Sequence, residues 1–314
     1  MLRAAVVFLA LVPAAWAQAV ISAHSGMVNF VEGDVQIAGQ PMKLDGAIFP
    51  DVKTGQTLST RIGRAEVLLT PGVFLRLDHN TSFRMISNKL TDTQVEILSG
   101  SALIEASEIL KDNRIAVKMG DAETALLKTG LYHFNADAGQ VRAFEGKAQV
   151  SGASGSTELK GGRTLLVGSS LTPDKFNKNK SKDELYTWSQ ERDYRLALAN
   201  ISAARSMNTK TFRSSLWAFD PWLGMYTFLP YSGRINNPFG ISWYSPATVW
   251  IVFRPAPASD YGYSAGNSGW QGASPSSASA SVAPSSNAST GAVGVSSGSS
   301  SGAVAASAGA SRGR

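Results

Sequence analysis

The stretch from residue 28 to residue 167 consists of short runs of alternating apolar and polar residues, separated by turns that centre on glycine. The turns are Glu32-Gly33-Asp34, Thr70-Pro71-Gly72, Ser99-Gly100-Ser101, Asp137-Ala138-Gly139, Glu145-Gly146-Lys147 and Gly161-Gly162. Turns at such short intervals favour an all-β domain of stacked hairpins over a βαβ core. We therefore predict a mainly β domain over residues 20–172, either a β-solenoid or a twisted β-sandwich.

The clearest hairpin in the chain spans residues 65 to 78, with its turn at Pro71-Gly72. Pro71 fixes the φ angle that a turn needs, and Gly72 can adopt a positive φ. Successive side chains of a strand point to opposite faces, so one row is predicted to face inward and a mixed row to face outward. The inward row is Ala65, Val67, Leu69, Val73, Leu75 and Leu77, and the outward row is Glu66, Leu68, Phe74, Arg76 and Asp78.

Residues 1–19 have the composition of a cleavable signal peptide. Arg3 precedes an apolar run that is too short to span a bilayer, and Ala15-Trp16-Ala17 or Ala17-Gln18-Ala19 offers a cleavage site. We therefore expect export to the periplasm or the exterior, with no transmembrane helix in the mature chain. The sequence contains no cysteine, which excludes disulfides, thiolate metal sites and a lipoprotein anchor.

The chain changes character after residue 172. Residues 173–211 are predicted to form a polar linker and then a helix from about residue 182 to 207, which begins at a capping box in which Ser181 is the N-cap and Glu184 reaches back. Its apolar face is narrow, so we expect it to pack on the β domain. The members of that face are Leu185, Trp188, Leu196, Ala199 and Ala203.

Two further segments follow the predicted helix. Residues 212–263 are rich in aromatic residues, proline and glycine, and the prolines argue against a helix, so that residues 248–254 form at most a strand. Residues 264–314 consist of serine, alanine and glycine with almost no apolar bulk, which predicts a disordered tail.

Residues that would indicate catalysis or a cofactor are scattered. The three histidines, His24, His79 and His133, lie in unrelated elements without metal-binding spacing. The Asp78-His79 pair is typical of a turn. The chain contains no GxSxG motif that would present a nucleophilic serine, so a hydrolytic site is not expected. Four acidic residues around one edge are predicted to be solvent-facing: Glu96, Glu105, Glu108 and Asp112. We therefore expect no enzyme, no catalytic residue, no cofactor and no metal.

The formal net charge of +6 does not indicate nucleic-acid binding, because no predicted element has a basic face. The aromatic segment is the better candidate for a contact surface, since exposed tryptophan and tyrosine side chains often stack on sugars or anchor protein partners. The alternative is that these side chains fill a second core or cover a sheet edge. The candidate partner-binding residues are Trp217, Trp222, Tyr226, Tyr231, Trp243 and Tyr244.

The succession of motifs resembles the FecR domain, the extracytoplasmic β domain of iron-citrate-type signalling regulators. The matching pieces are residues 31–35 (VEGDV), 55–60 (GQTLST), 63–69 (GRAEVLL), 71–77 (PGVFLRL), 98–103 (LSGSAL), 125–134 (ALLKTGLYHF) and 141–150 (VRAFEGKAQV). They cover about half of the chain and occur in the order of the family.

The resemblance implies an all-β module that contacts proteins in the periplasm and is not an enzyme. Signalling members continue through one membrane helix into a cytoplasmic region that controls a sigma factor, and this chain shows neither segment, so direct control of a sigma factor is not expected. We expect an exported module that binds an envelope protein or a glycan and has a possible role in extracytoplasmic signalling. The alternative is a structural envelope or surface component in which the tail is a flexible spacer.

Overall fold

A computed structural model describes residues 25–44, 48–168 and 171–253 of the chain. The predicted signal peptide (1–19) and the predicted disordered tail (264–314) lie outside the described residues, as do residues 254–263.

The largest element of the described residues is a β-sheet of fifteen strands. Its strands are β1 (Met27–Ile37), β2 (Gln40–Pro41), β3 (Thr57–Leu68), β4 (Val73–Leu77), β5 (Ser82–Lys89), β6 (Asp92–Ser99), β7 (Ser101–Ala106), β8 (Arg114–Met119), β9 (Ala122–Leu126), β10 (Gly130–Asn135), β11 (Gln140–Glu145), β12 (Lys147–Gly152), β13 (Gly155–Lys160), β14 (Arg163–Leu166) and β15 (Asp174–Lys175). The strand order is β13-β12-β9-β8-β6-β5-β3-β4-β7-β10-β11-β14-β15, and β1 pairs with β2 and β3. The prediction of a mainly β chain is confirmed.

The sheet bends at β3 and folds over into two layers. The first part of β3 pairs with β5, and the last part pairs with β4. Met85 and Val117 from one side of the bend share a single buried core with Leu75 and Ile104 from the other side. Of the two predicted architectures, the arrangement corresponds to the sandwich. We call the layer from β5 to β13 the first layer and the layer from β4 to β15 the second layer.

The chain crosses repeatedly between the layers, and Gly146 makes one of these crossings, from β11 to β12. Its φ angle is +93°, and a Cβ atom placed there would lie 2.2 Å from the Tyr132 hydroxyl oxygen. That hydroxyl also accepts a hydrogen bond from the Lys147 amide at 2.9 Å. The crossing therefore requires glycine for both its backbone angle and its space.

The long helix α1 (Glu184–Ser206) begins two residues later than a Ser181 cap would place it. The N-cap is Asp183, whose side chain accepts a hydrogen bond from the Tyr186 amide at 2.9 Å, so the prediction of Ser181 as the cap was wrong. The predicted apolar face is buried as expected. It packs on the outer side of the second layer, where Leu196 meets Phe74 and Trp188 meets Leu103.

The aromatic segment folds back over the same side of the second layer. It contains β16 (Leu216–Asp220), β17 (Met225–Leu229), β18 (Arg234–Asn236), β19 (Ser242–Tyr244) and the short helix α2 (Pro246–Val252). The expectation that prolines exclude a helix here was wrong, because Pro246 follows the N-cap Ser245, a position where a missing N–H costs nothing. Neither helix of the described ranges is long and apolar enough to cross a bilayer.

Candidate functional site

The outer row of the β3–β4 hairpin is buried rather than solvent-facing. Helix α1 and the aromatic segment cover it, so that Glu66 and Arg76, which are directly opposite each other, have no exposed surface. Glu105 on the neighbouring strand β7 is equally buried, which corrects the prediction that it faces solvent. The alternation of the strands was right, but the covering elements come from more than a hundred residues further along the chain.

The Arg76 guanidinium lies at the centre of a buried ionic cluster. Its Nε atom donates to Glu66 Oε2 at 3.0 Å, and its Nη1 atom donates to Glu105 Oε2 at 2.9 Å. Its Nη2 atom donates to Asp193 Oδ1 of helix α1. One arginine therefore joins two strands of the sheet to the helix.

A second arginine and two asparagines extend the cluster into the remaining elements. Arg192 of α1 donates to Glu66 Oε1 at 2.9 Å, and its guanidinium carbon lies 3.9 Å from the ring centre of Phe30. Asn29 of β1 donates to Glu66 Oε1 at 3.0 Å and to the carbonyl of Tyr226.

The other end of the cluster reaches the residues around β18 and β19. Asn237 donates to Asp193 Oδ2 at 2.7 Å. Trp243 Nε1 donates to the Ser107 hydroxyl at 3.1 Å, and that hydroxyl donates to Glu105 Oε1 at 2.6 Å. The cluster therefore joins the sheet, the helix and the aromatic segment.

The charges of the cluster balance when one carboxyl group holds a proton. Burial alone would raise the pKa of Glu66, but the guanidinium groups of Arg192 and Arg76 outweigh burial and lower that pKa to about 2. Burial raises the pKa of Asp193 well above its usual value, and the nearby Glu105 and Glu66 carboxylates add to this effect although Arg76 opposes it. A proton on Asp193 leaves two carboxylates facing two guanidinium groups.

The geometry of this cluster serves cohesion rather than catalysis. Its carboxyl groups are fully buried and bonded within the protein, so no substrate reaches them in this conformation. Removing one partner from such a cluster leaves an uncompensated buried charge, which costs about 3 to 5 kcal/mol. The cluster therefore fixes α1 and the aromatic segment in one position on the sheet.

The remaining titratable candidates are not brought together. His79 is exposed in its turn, and its neighbour Asp78 pairs with Arg64 at 2.9 Å. His133 is buried and lies 3.2 Å from the helix cap Asp183. Burial alone would raise the pKa of Asp183, but the nearby His133 imidazole and the Tyr186 amide outweigh burial and lower that pKa. Within residues 25–44, 48–168 and 171–253, no three histidine, aspartate or glutamate side chains are placed to hold a metal ion.

The six aromatic residues singled out from the sequence divide into three groups. Trp217, Tyr226 and Trp243 are buried against the sheet around Phe74 and Phe228. Tyr244 is half-buried beside α2. Trp222 and Tyr231 are exposed. Partner binding by these residues stays a prediction, and in this fold only the exposed and half-buried ones present surface to a partner.

The outer side of the first layer remains open. No helix of the described ranges packs on β5, β6, β8, β9 or β12. Its polar outward side chains are half-buried and include Arg84, Gln94, Glu96, Lys118, Glu123 and Gln149. Ion pairs run across the strands, such as Arg84 Nε to Glu96 Oε2 at 3.1 Å and Arg114 Nη1 to Asp92 Oδ1 at 3.0 Å.

Sequence could have indicated the buried cluster through two signals. Glu66 and Arg76 lie within the short apolar runs 65–69 (AEVLL) and 73–77 (VFLRL), where an unpaired charge is rarely found. Arg192 and Asp193 lie between Trp188 and Leu196 on a helix whose apolar face is narrow. Charged residues in both places are complementary in sign.

Comparisons with known proteins give one family match and two similar solved structures. Residues 56–158, about a third of the chain, match the FecR protein family. Two crystal structures of a candidate anti-sigma factor from Parabacteroides distasonis are similar at 15% and 16% identity, each with a TM-score of 0.36. Each comparison covers 43% of this chain and 64% of the solved chain, which is less than two thirds of that chain's length. No curated protein matches. Residues 56–158 of this chain therefore form a FecR domain.

Proposed function

We propose that this chain is an exported, non-catalytic module that binds an envelope protein through its FecR domain. The observation that carries the proposal is the division of the two outer sheet faces. One face is covered by α1 and the aromatic segment, which the buried cluster holds in place. The other face, on the first layer, is open and belongs mostly to the FecR domain.

The chemistry of the open face favours a protein over a glycan. Its outward side chains include arginine, lysine, glutamate and glutamine beside Leu98, Ala116 and Ala125, and the polar ones offer donors, acceptors and both signs of charge. Sugar rings are usually held by stacking on aromatic side chains, and the outward positions of Gln94, Lys118 and Glu123 lie among other aliphatic polar residues. A flat surface of mixed charge selects a partner by electrostatic complementarity.

Capture followed by a quantitative binding assay tests this proposal. The full chain is cross-linked in a solubilised envelope fraction, the captured protein is identified by mass spectrometry, and its affinity is then measured with purified components. Replacing Gln94 in the centre of the open face with arginine adds bulk and charge, and we expect Gln94→Arg to weaken binding at least about tenfold. The matched control is Gln140→Arg, because Gln140 is also half-buried but lies in the second layer.

Three outcomes would count against the proposal. Equal affinity of Gln94→Arg and wild type would remove the open face from the interface. Binding of a purified glycan with the same sensitivity to Gln94→Arg would replace the protein by a sugar. A hydrolytic activity on a substrate panel that disappears in His79→Ala would show that the chain is an enzyme.

A further inference from the structure

The exposed surface of residues 194–253 contains apolar and basic side chains but no acidic one. Asp220, the only acidic residue of this range, is fully buried. The basic residues of the range are all exposed, and they are Arg195, Arg205, Lys210, Arg213 and Arg234. The exposed charges of this range are therefore all basic, and the nearest exposed acidic residue along α1 is Glu191, one turn before Arg195.

Large apolar side chains protrude from the same surface. Trp222 is 89% exposed, Leu198 is 61% exposed and Tyr194 is 57% exposed. Leu198 and Arg205 project from α1 and face Trp222 across a groove of about 510 Å³, which Ile201 and Pro221 also line. Tyr194 lies one turn before Leu198 on the same helix. The apolar and basic residues thus occupy one continuous patch, which we call the tryptophan patch (Tyr194, Leu198, Arg205, Trp222 and Leu223).

The exposed tip of the patch is held in a defined shape. The Asp220 carboxylate accepts hydrogen bonds from the amides of Trp222 and Leu223, each at 2.9 Å. Gly224 closes the turn between β16 and β17 with a φ angle of +60°. A buried side chain therefore supports a turn that projects two apolar residues into solvent, and this ordering is complete before any contact forms.

The helix α2 continues this surface. Arg205 donates to the carbonyl of Phe253 at 3.1 Å, and its guanidinium lies over the Phe253 ring, which joins the patch to the end of α2. Trp250 and Ile251 on α2 are exposed, and Ile251 is 77% exposed.

We propose that the tryptophan patch binds the surface of an anionic lipid bilayer. Tryptophan is favoured at the bilayer interface because its ring is apolar and its N–H is polar, and each nearby arginine or lysine adds about 1 kcal/mol of attraction to anionic lipids. An ordered tip that projects Trp222 beside Arg205 fits a soft anionic surface. A protein interface more often combines charges of both signs, whereas the charged member of the tryptophan patch, Arg205, is basic. This contact is separate from the proposed protein-binding face on the first layer.

Sedimentation with vesicles tests the proposal on the full chain. We expect binding to vesicles of phosphatidylcholine with phosphatidylglycerol, much weaker binding to phosphatidylcholine alone, and a loss of binding as salt is raised. Trp222→Ser should weaken binding at least about tenfold, because the indole no longer leaves water. Arg205→Gln should weaken it about fivefold, which corresponds to one lost charge.

Ile62→Ser is the matched control, because Ile62 is 83% exposed on β3 and lies outside the patch. It should bind vesicles as wild type does, and the thermal midpoints of all three variants should stay unchanged because the replaced side chains are exposed. Absence of binding to the anionic vesicles would overturn the proposal, and so would equal binding by Trp222→Ser and wild type. If Trp222→Ser lowers affinity for a captured protein while vesicles are not bound, the patch is a protein interface and the lipid proposal fails. Failure of vesicle binding leaves the Gln94→Arg test of the first layer unaffected.

Discussion

Replacing Arg76 by methionine tests the role of the buried cluster. The substitution keeps a long apolar side chain but removes hydrogen bonds to Glu66, Glu105 and Asp193, which are all buried with no exposed surface. The carboxyl groups then lose a buried cation, which costs about 3 to 5 kcal/mol. For a folded unit of this size, that loss lowers the thermal midpoint by roughly 6 to 20 °C.

Circular dichroism during heating and urea unfolding would measure this loss. The matched control is Arg84→Met, because Arg84 pairs with Glu96 across strands but is half-exposed, and such pairs contribute about 0 to 1 kcal/mol. The difference should also depend on pH. Without Arg76, the pKa values of the buried carboxyl groups rise in the folded state. Folding is then not opposed by these groups at a pH below their unfolded-state pKa values, where they are protonated, but it is opposed once the pH rises and they must ionise while buried.

The deficit of Arg76→Met should therefore be smaller near about pH 4 than near about pH 7. Two results would refute the reasoning. One is a loss of free energy no larger than that of Arg84→Met. The other is a deficit that grows as the pH falls, since that would mean that the buried carboxyl groups are not the origin of the cost.

The remaining predictions concern three local features, each measured as a free energy of unfolding. The pKa of Glu66 is about 2 in the fold against 4.5 for the unperturbed group, so the free energy that ionised Glu66 adds to stability is lost as the pH falls from 4.5 to about 2. Glu66→Gln should therefore make the free energy of unfolding fall less steeply in this pH range. An unchanged slope would contradict this prediction. Gly146→Ala should cost at least about 2 kcal/mol because the new Cβ atom clashes with the Tyr132 hydroxyl. The control Gly120→Ala, which has a positive φ angle but open space around it, should cost about 1 kcal/mol. Equal costs would argue against the clash. Asp183→Ala should cost about 0.5 to 2 kcal/mol because the helix loses its N-cap, whereas Ser181→Ala should cost almost nothing. A larger cost for Ser181→Ala than for Asp183→Ala would instead identify Ser181 as the cap, as the sequence predicts.

The sequence predicts the inner core well because alternation in a strand directly reports which side is apolar. Ala65, Val67 and Leu75 are buried as their spacing predicts. The same spacing shows only that the other side of the strands carries a mixture of apolar and polar residues. It cannot show which distant part of the chain covers that side. The spacing therefore predicts that Arg76 and Glu66 face outward. In the fold Arg76 instead contacts Asp193, which lies 117 residues further along the chain.

Local signals gave the wrong answer where two residues compete for one role. Ser181 and Asp183 can both cap a helix, and only the backbone geometry, with Asp183 in the extended region, decides between them. Pro246 was read as a helix breaker, but its position directly after Ser245 makes it a favourable first residue. The division of the aromatic residues into buried and exposed members depends on how the β16–β17 hairpin lies on the sheet, which spacing alone does not encode.

The polar residues on the covered side of the second layer have a consequence for synthesis of the chain. The strands that carry Glu66, Arg76 and Glu105 precede α1 in the chain, so this side of the sheet is exposed to water until residue 193 is available to cover it. Three charges amid its apolar side chains keep the nascent sheet hydrated and oppose its association with other unfinished chains. The same groups that later fasten the helix thus first protect the surface that awaits it.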